Sequence, residues 1–374
     1  MQRMSIGPER RTNRRGLIVL IVLVVLALLG ILYWRGALNR VVRNVRAVQL
    51  RCAATQDIKP FGDSLLYYDG DTLFCLGSDG REKWNYMVGT GASFDPGNQC
   101  VVVWRGSQLS ILNRSGRSTY DDNIGAEIQF ARAGDKYVVT VCDDNTSADE
   151  QSLLAIRDMN GNVQDTETGA YTDMLILDAG FFKTEYLLTT AMELYGTVPS
   201  TTLNTIRVNS MTTGSIDLGE TLTYKVIYAG SVLNVIGTRQ LRKYDYNGSQ
   251  DTSGTVLVYG WKLIDDTVID NRAYLLFAPT RQTNDLISIS ELRCLYGSND
   301  KRLTLPSECI GAGFYGRRVY GFSDNSIFRA DLNANRFSVY SLPLPSPATD
   351  YLGMLSDGTA LIACGNEVYA VTVP

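Results

Sequence analysis

The chain has 374 residues, a formal net charge of −4 and not one histidine. The missing histidine removes Ser-His-Asp and Cys-His catalysis, His-built zinc sites and His-ligated haem. With 45% hydrophobic and 20% charged residues most of the chain should fold, and 34 Gly with 21 Tyr suits many short strands joined by turns.

The charge is unevenly placed. Residues 1–51 hold ten Arg, no Lys and the single acid Glu9, a balance of +9, so the remainder stands at −13. An acidic body argues against a nucleic-acid surface, which needs a basic footprint.

In chain order, residues 1–15 read as a basic cytoplasmic tail. Gly16 to Trp34, GLIVLIVLVVLALLGILYW, is 19 uncharged residues, or roughly 28 Å of helix, close to the hydrocarbon thickness. We expect an uncleaved transmembrane helix contacting membrane lipid through residues 16–34. A signal peptide would have a shorter apolar core and a small-residue cleavage site. Arg10, Arg11, Arg14 and Arg15 crowd the leading edge, whereas Arg35, Arg40, Arg43, Arg46 and Arg51 are spread behind it. That pattern predicts a single-pass protein of the cell membrane, N-terminus cytoplasmic and C-terminal domain extracytoplasmic. Residues 35–51 form a basic juxtamembrane stalk. Leu38, Val41, Val42, Val45 and Val48 at helical spacing suit a surface helix or a continuation of the anchor.

Residues 52–374 read as one β domain built on a repeat. Each unit is an apolar strand, a short turn, a second apolar strand, a Gly/Asn/Asp turn and a more polar strand. LLYYDGDTLFCLGSDGREKWNYMVG, Leu65 to Gly89, is the clearest copy, with hairpin signals at Asp69-Gly70 and Asp79-Gly80. VVVWRGSQLSILNRSGRSTYDDNIG, Val101 to Gly125, is the second. Aligned on Gly80 and Gly116, both carry Leu four residues before the glycine (Leu76, Leu112) and an aromatic four after it (Trp84, Tyr120). Weaker copies turn around Asn160-Gly161, Gly214, Asn247-Gly248, Gly297 and Ala334. Their spacing of roughly 42 residues, with four short strands per unit, predicts an all-β β-propeller, eight blades favoured and seven possible. The last unit, GTALIACGNEVYAVTVP, lacks an outer strand. VRAVQLRC, Val45 to Cys52, can supply it and join the two ends of the chain in one blade, in competition with the helical reading of the same stretch.

LFCLGSDGREKWNY, Leu73 to Tyr86, resembles the repeat of quinoprotein-type (PQQ-like) propellers, with Leu76 to Gly80 one residue shorter than the usual spacing. It is also similar to WD40-like propellers and to the lipoprotein of the outer-membrane barrel assembly machinery. The overall plan resembles single-span bacterial propeller families of unassigned function. The resemblance implies fold, because propellers host enzymes, scaffolds and sensors alike.

No residue set predicts catalysis, cofactor binding or a metal site. Asp143, Asn145, Ser147 and Asp149 alternate like calcium ligands, but Ala148 replaces the loop glycine and Leu154 the closing acid. They read as a solvated hairpin tip, and Asp331, Asn333 and Asn335 as a polar turn. Quinone binding needs a tryptophan platform inside the ring, and Trp34, Trp84, Trp104 and Trp261 read as anchor or blade residues. Nothing marks Lys83, Lys136, Lys225 or Lys262 for Ser-Lys chemistry. Seven scattered cysteines read as buried thiols. The proline cluster Tyr340 to Tyr351 reads as an extended connection between blades. The expected role is a non-enzymatic binding or scaffold module with an envelope protein or polymer as partner. The alternative is a carboxylate-based glycan-active enzyme.

Overall fold

The computed structural model describes residues 45–144, 151–167, 171, 174–193, 197–210, 212–245, 247–279, 288–334 and 336–374, together with Ala27. Apart from Ala27, residues 16–34, the expected membrane helix, and most of the stalk lie outside the described residues. No helix among the described residues is long and apolar enough to cross a membrane.

Val45–Val373 form a β-propeller of eight blades, each a four-stranded antiparallel sheet. Blade one runs from Asp57–Phe61 to Glu82–Met87, blade two from Ser93–Pro96 to Ser118–Asn123, and blade three from Ile128–Ala133 to Val163–Glu167. Blades four to seven open on the inner strands Met174–Phe182, Thr223–Ala229, Trp261–Ile269 and Gly311–Tyr315. Blade eight consists of Asp350–Met354, Thr359–Cys364, Glu367–Thr372 and Arg46–Ala53, in that order from the centre outward.

Arg46–Ala53 is therefore a strand, paired antiparallel with Glu367–Thr372 from Arg46↔Thr372 to Ala53↔Glu367. The propeller starts at Val45, not at Cys52, and the stalk of 35–51 loses its last residues to blade eight. The helical spacing of Val45 and Val48 yields to pairing, because the strand gains a ladder with Glu367–Thr372 and buries Leu50 and Cys52 against blade one. Leu50 and Cys52 point inward with Leu65 and Tyr67 of blade one, sealing the seam between blades eight and one.

The burial follows from stacking sheets around a ring. A second strand is covered on both faces by neighbouring blades, so it reads as a continuous apolar run, as in Thr359–Cys364, where all six residues are buried. Outer strands such as Ser118–Asn123 are mostly exposed and polar. Each hydrophobic cluster spans two blades: Phe61, Leu66, Leu73 and Cys75 of blade one pack on Phe94, Val101, Val103 and Leu112 of blade two.

The aromatic that follows the turn glycine in blades one and two does its work one blade further on. Trp84 of blade one lies on Gly116 of blade two, and Tyr120 of blade two lies on Gly161 of blade three. Val48 of blade eight covers Gly80, and Ile216 of blade four covers Gly248. Blade four turns differently from the expected Gly214, which sits inside the strand Thr212–Gly219. The turn is at Asn209-Ser210, with Asn209 at φ 60° and its N–H donated to Asp165 Oδ2 across the seam, 3.1 Å.

All seven cysteines are buried. Burial raises the thiols of Cys52 and Cys75 to about 11 and those of Cys100, Cys294 and Cys309 to about 12. At neutral pH these are packing groups, not nucleophiles.

Candidate functional site

The inner strands of blades two to six bring Asp95, Arg132, Asp178, Lys225 and Asp266 to one concavity at the lumen, and with Lys59 on the inner strand of blade one these six charges alternate in sign along the chain. In blades three to six a β-bulge precedes the charge, between Ile128 and Phe130, Ile176 and Asp178, Thr223 and Lys225, and Leu263 and Asp265. A bulge adds a residue and changes the phase of in–out alternation. Ile176 and Ala179 stay buried while Asp178 between them faces the lumen.

Most of these groups reach one blade forward. Lys59 Nζ donates to Phe94 O of blade two at 2.6 Å. Asp95 Oδ2 accepts the Ala133 N–H of blade three at 3.0 Å. Arg132 donates through Nε and Nη2 to Asp178 Oδ1 of blade four at 3.2 and 3.0 Å. Lys225 stands 3.7 Å from Asp266 of blade six. Asp265 accepts the Phe314 N–H of blade seven at 2.6 Å and the Asp266 N–H at 2.8 Å. Tyr351 of blade eight then lies against Gly311 and Gly313 and stacks on Phe322, 4.8 Å between centroids. The lumen charges thus tie one blade to the next.

Burial raises the carboxyls of Asp95 and Asp265, the latter to about 6, with the nearby Asp266 charge adding to the effect. Burial also pushes the Tyr351 phenol up. These shifts follow from taking charge out of water where only backbone N–H groups compensate.

A second concavity, about 600 Å³, opens between blades four and five. Its wall is a ladder of three rings. Phe182 stacks on Tyr186 at 5.2 Å and meets Tyr228 at 4.4 Å. Lys183 lies 5.1 Å from the Tyr228 centroid and Arg207 5.9 Å from that of Tyr186. Ser215, Ser231 and Asn247 line the rest with polar side chains.

Of the residues singled out in the sequence, Asp143 and Asp144 end the second strand of blade three, and 145–150 lie outside the described residues. Asp331 accepts the Nε–H of Arg318 at 3.0 Å, and Asn335 lies outside the described residues. Trp84 and Trp104 are blade residues, and Trp261 opens the inner strand of blade six beneath Arg293 and Arg302. Lys136 lies 3.9 Å from Glu185, and Lys262 is exposed. One juxtaposition escaped the sequence: Lys83 Nζ stands 2.6 Å from the buried Ser64 Oγ. Asp63 lies 3.1 Å from the same ammonium, and hydrogen bonds from Ser64 and Lys83 hold its carboxyl below the usual range. Among the described residues no group of three or more Cys, Asp or Glu is placed to hold a metal.

No protein-family model matches the chain, and no curated protein sequence matches it. Solved structures do. The chain is similar to BamB from Moraxella catarrhalis, with a TM-score of 0.53 at 10% identity over 88% of this chain and 98% of that one. It is also similar to AztD from Citrobacter koseri, with a TM-score of 0.50 at 13% identity over 79% of this chain and 88% of that one. At such identities the likeness is one of fold, and the quinoprotein-type resemblance rests on the first two blades alone. What the comparisons establish is that the chain is a β-propeller.

Proposed function

We propose that the chain is a membrane-anchored, non-enzymatic binding or scaffold module, with residues 16–34 spanning the bilayer and the propeller displayed on its outer face to an envelope protein or polymer. One observation carries the binding role. The lumen charges are spent on each other and on the backbone of the next blade, through Lys59, Asp95, Arg132–Asp178, Lys225–Asp266 and Asp265. Such a lumen holds a ring rigid, and recognition falls to the surfaces that the ring displays. The apolar run of 16–34 and the arginines packed before it support the anchorage and its direction.

The test is protease treatment of intact cells against lysed cells. Degradation in intact cells down to a small N-terminal fragment is the expected result. Degradation only after lysis sinks the topology.

The glycan-active alternative has one observation in its favour, the Asp265 carboxyl raised to about 6 beside Asp266, a poise that suits a general acid. Both Asp265 oxygens are occupied by backbone N–H groups, which favours the structural role. Glycan turnover by the purified chain that is abolished in Asp265→Asn would reverse the order of the two readings.

A further inference from the structure

Lys183 stands out from the repeat. It follows the inner strand of blade four, at the first position of the turn to the second strand. Blades one, five and seven place Gly62, Gly230 and Gly316 at that position, with φ of 59°, 66° and 56°, and blade six places Asp270 there with φ of 49°, a short polar residue that takes this conformation more readily than lysine. Lys183 adopts φ 48°, a left-handed conformation that costs an L-residue free energy and that glycine takes without strain. A lysine kept where the fold suits glycine points to work for its side chain.

The surroundings say what that work is. Lys183 is exposed and, among the described residues, has no carboxylate within ion-pair distance, although the body of the chain is strongly acidic. Its ammonium stands at one end of the ring ladder formed by Tyr228, Phe182 and Tyr186, and Arg207 stands at the other. Arg207 is held only loosely, 3.8 Å from Glu185, and both groups are about half exposed. A cleft with aromatic faces, two cations and a hydroxyl- and amide-bearing rim matches three features of one ligand class. A pyranose ring offers C–H groups to the exposed parts of the three half-buried rings, whose faces are shared with one another and with the two cations. Its hydroxyls suit Ser215, Ser231 and Asn247. A carboxylate on the ring answers Lys183 at its end of the ladder. The volume of about 600 Å³ admits one or two such rings.

We infer that the cleft between blades four and five is a binding site for carboxylated sugars of the uronic acid type, with Lys183 as the residue that reads the acid group. This rests on the binding-module reading and names its ligand class. It is tested on the purified full-length chain in detergent, so topology does not enter. A failure here leaves the protease experiment to stand or fall by itself.

Methyl β-D-glucuronide and methyl β-D-glucoside, which differ only in the acid group, are titrated by saturation-transfer NMR. The expected result is saturable binding of the glucuronide, with the glucoside about tenfold weaker or absent, as befits loss of a charge-assisted contact. Lys183→Gln should weaken the glucuronide to the level of the glucoside, and Tyr228→Ala should weaken both sugars. Lys183→Gly separates site from scaffold, because it should lose binding while raising the unfolding temperature. Absence of saturable binding by the wild type, equal affinity for the two sugars, or unchanged binding in Lys183→Gln would each overturn the assignment.

Discussion

Trp84 of blade one donates its indole N–H to the carbonyl oxygen of Arg114 in blade two, 3.0 Å away, and its ring fills the space a side chain at Gly116 would need. The pairing explains why an aromatic recurs four residues after a glycine in the first two repeats: the aromatic serves the glycine of the following blade. Gly116 itself holds φ 75°.

Gly116→Ala must therefore adopt a left-handed conformation and displace an indole. Overpacking and backbone strain together should cost about 2–4 kcal/mol in urea denaturation. Trp84→Ala should cost about 2 kcal/mol, since the ring is only half-buried. The double variant should cost less than the sum, because removing the ring makes room for the methyl group. Strict additivity would mean that the two residues do not bear on each other.

Closure of the ring by Arg46–Ala53 makes a sharp contrast on one strand. Leu50 is 5% exposed in the seam with blade one, whereas Val48 is 38% exposed. Leu50→Asp should cost about 3 kcal/mol or more and Val48→Asp under about 1 kcal/mol. Equal and small effects in thermal denaturation would detach this strand from the propeller.

Arg293 is a guanidinium in the blade six sheet with 9% side-chain exposure. It donates to both oxygens of Asp300, at 2.9 and 2.7 Å, and to Leu257 O at 2.8 Å. Asp300→Ala should cost about 2–4 kcal/mol, mostly by stranding a buried charge. Arg293→Met, which removes the charge and keeps much of the volume, should be the milder change. The reverse ranking in chemical denaturation would mean that the ion pair is worth more than the burial it occupies.

The pH dependence has a definite sign. Asp265 titrates near 6 in the folded chain against 3.8 for an ordinary aspartate, so the folded state binds the extra proton between those values. Stability falls as pH rises from about 4 to about 6 and then levels off. Asp95, also raised, adds to this trend. Asp63, Asp121, Asp158 and Asp300 are lowered, and their contribution is lost below about 3.8. Stability should peak near pH 4–5, and Asp265→Asn should flatten the fall toward pH 7. A urea midpoint that climbs steadily from pH 5 to 7 would contradict the burial of Asp265.

The eight blades were legible because the repeat writes itself in short-range signals. Asp79-Gly80 and Asn247-Gly248 mark turns, and runs such as Val101–Val103 mark strands covered on both faces. The outer strand of blade eight was legible as one of two readings of Val45 to Cys52, and the strand prevails because it pairs with Glu367–Thr372 and buries Leu50 and Cys52 in the seam with blade one. Blade four hid its turn, since Asn209 does there what glycine does elsewhere and Gly214 misdirects. The lumen was not legible. Lys59, Asp95, Arg132 and Asp178 lie 36 to 46 residues apart, and bulges in four of the inner strands change the side-chain phase just ahead of the charges. Lys183 was invisible for a related reason, as its distinction is a backbone angle and the three rings beside it come from three different strands.

The pairing of Arg46 with Thr372 has a kinetic consequence. The first strand of the propeller finds its place only when a segment 326 residues downstream has been made and folded. Loop closure over that distance is slow compared with any hairpin in the blades. Blades one to seven can each form from local contacts as the chain emerges, while the face of blade one that awaits Leu50 and Cys52 stays uncovered until the end. Folding should therefore show a fast phase for individual blades and a late, concerted phase reported by Leu50 and its neighbours Leu65 and Val368. The seam that completes the ring is also the last place where it can go wrong.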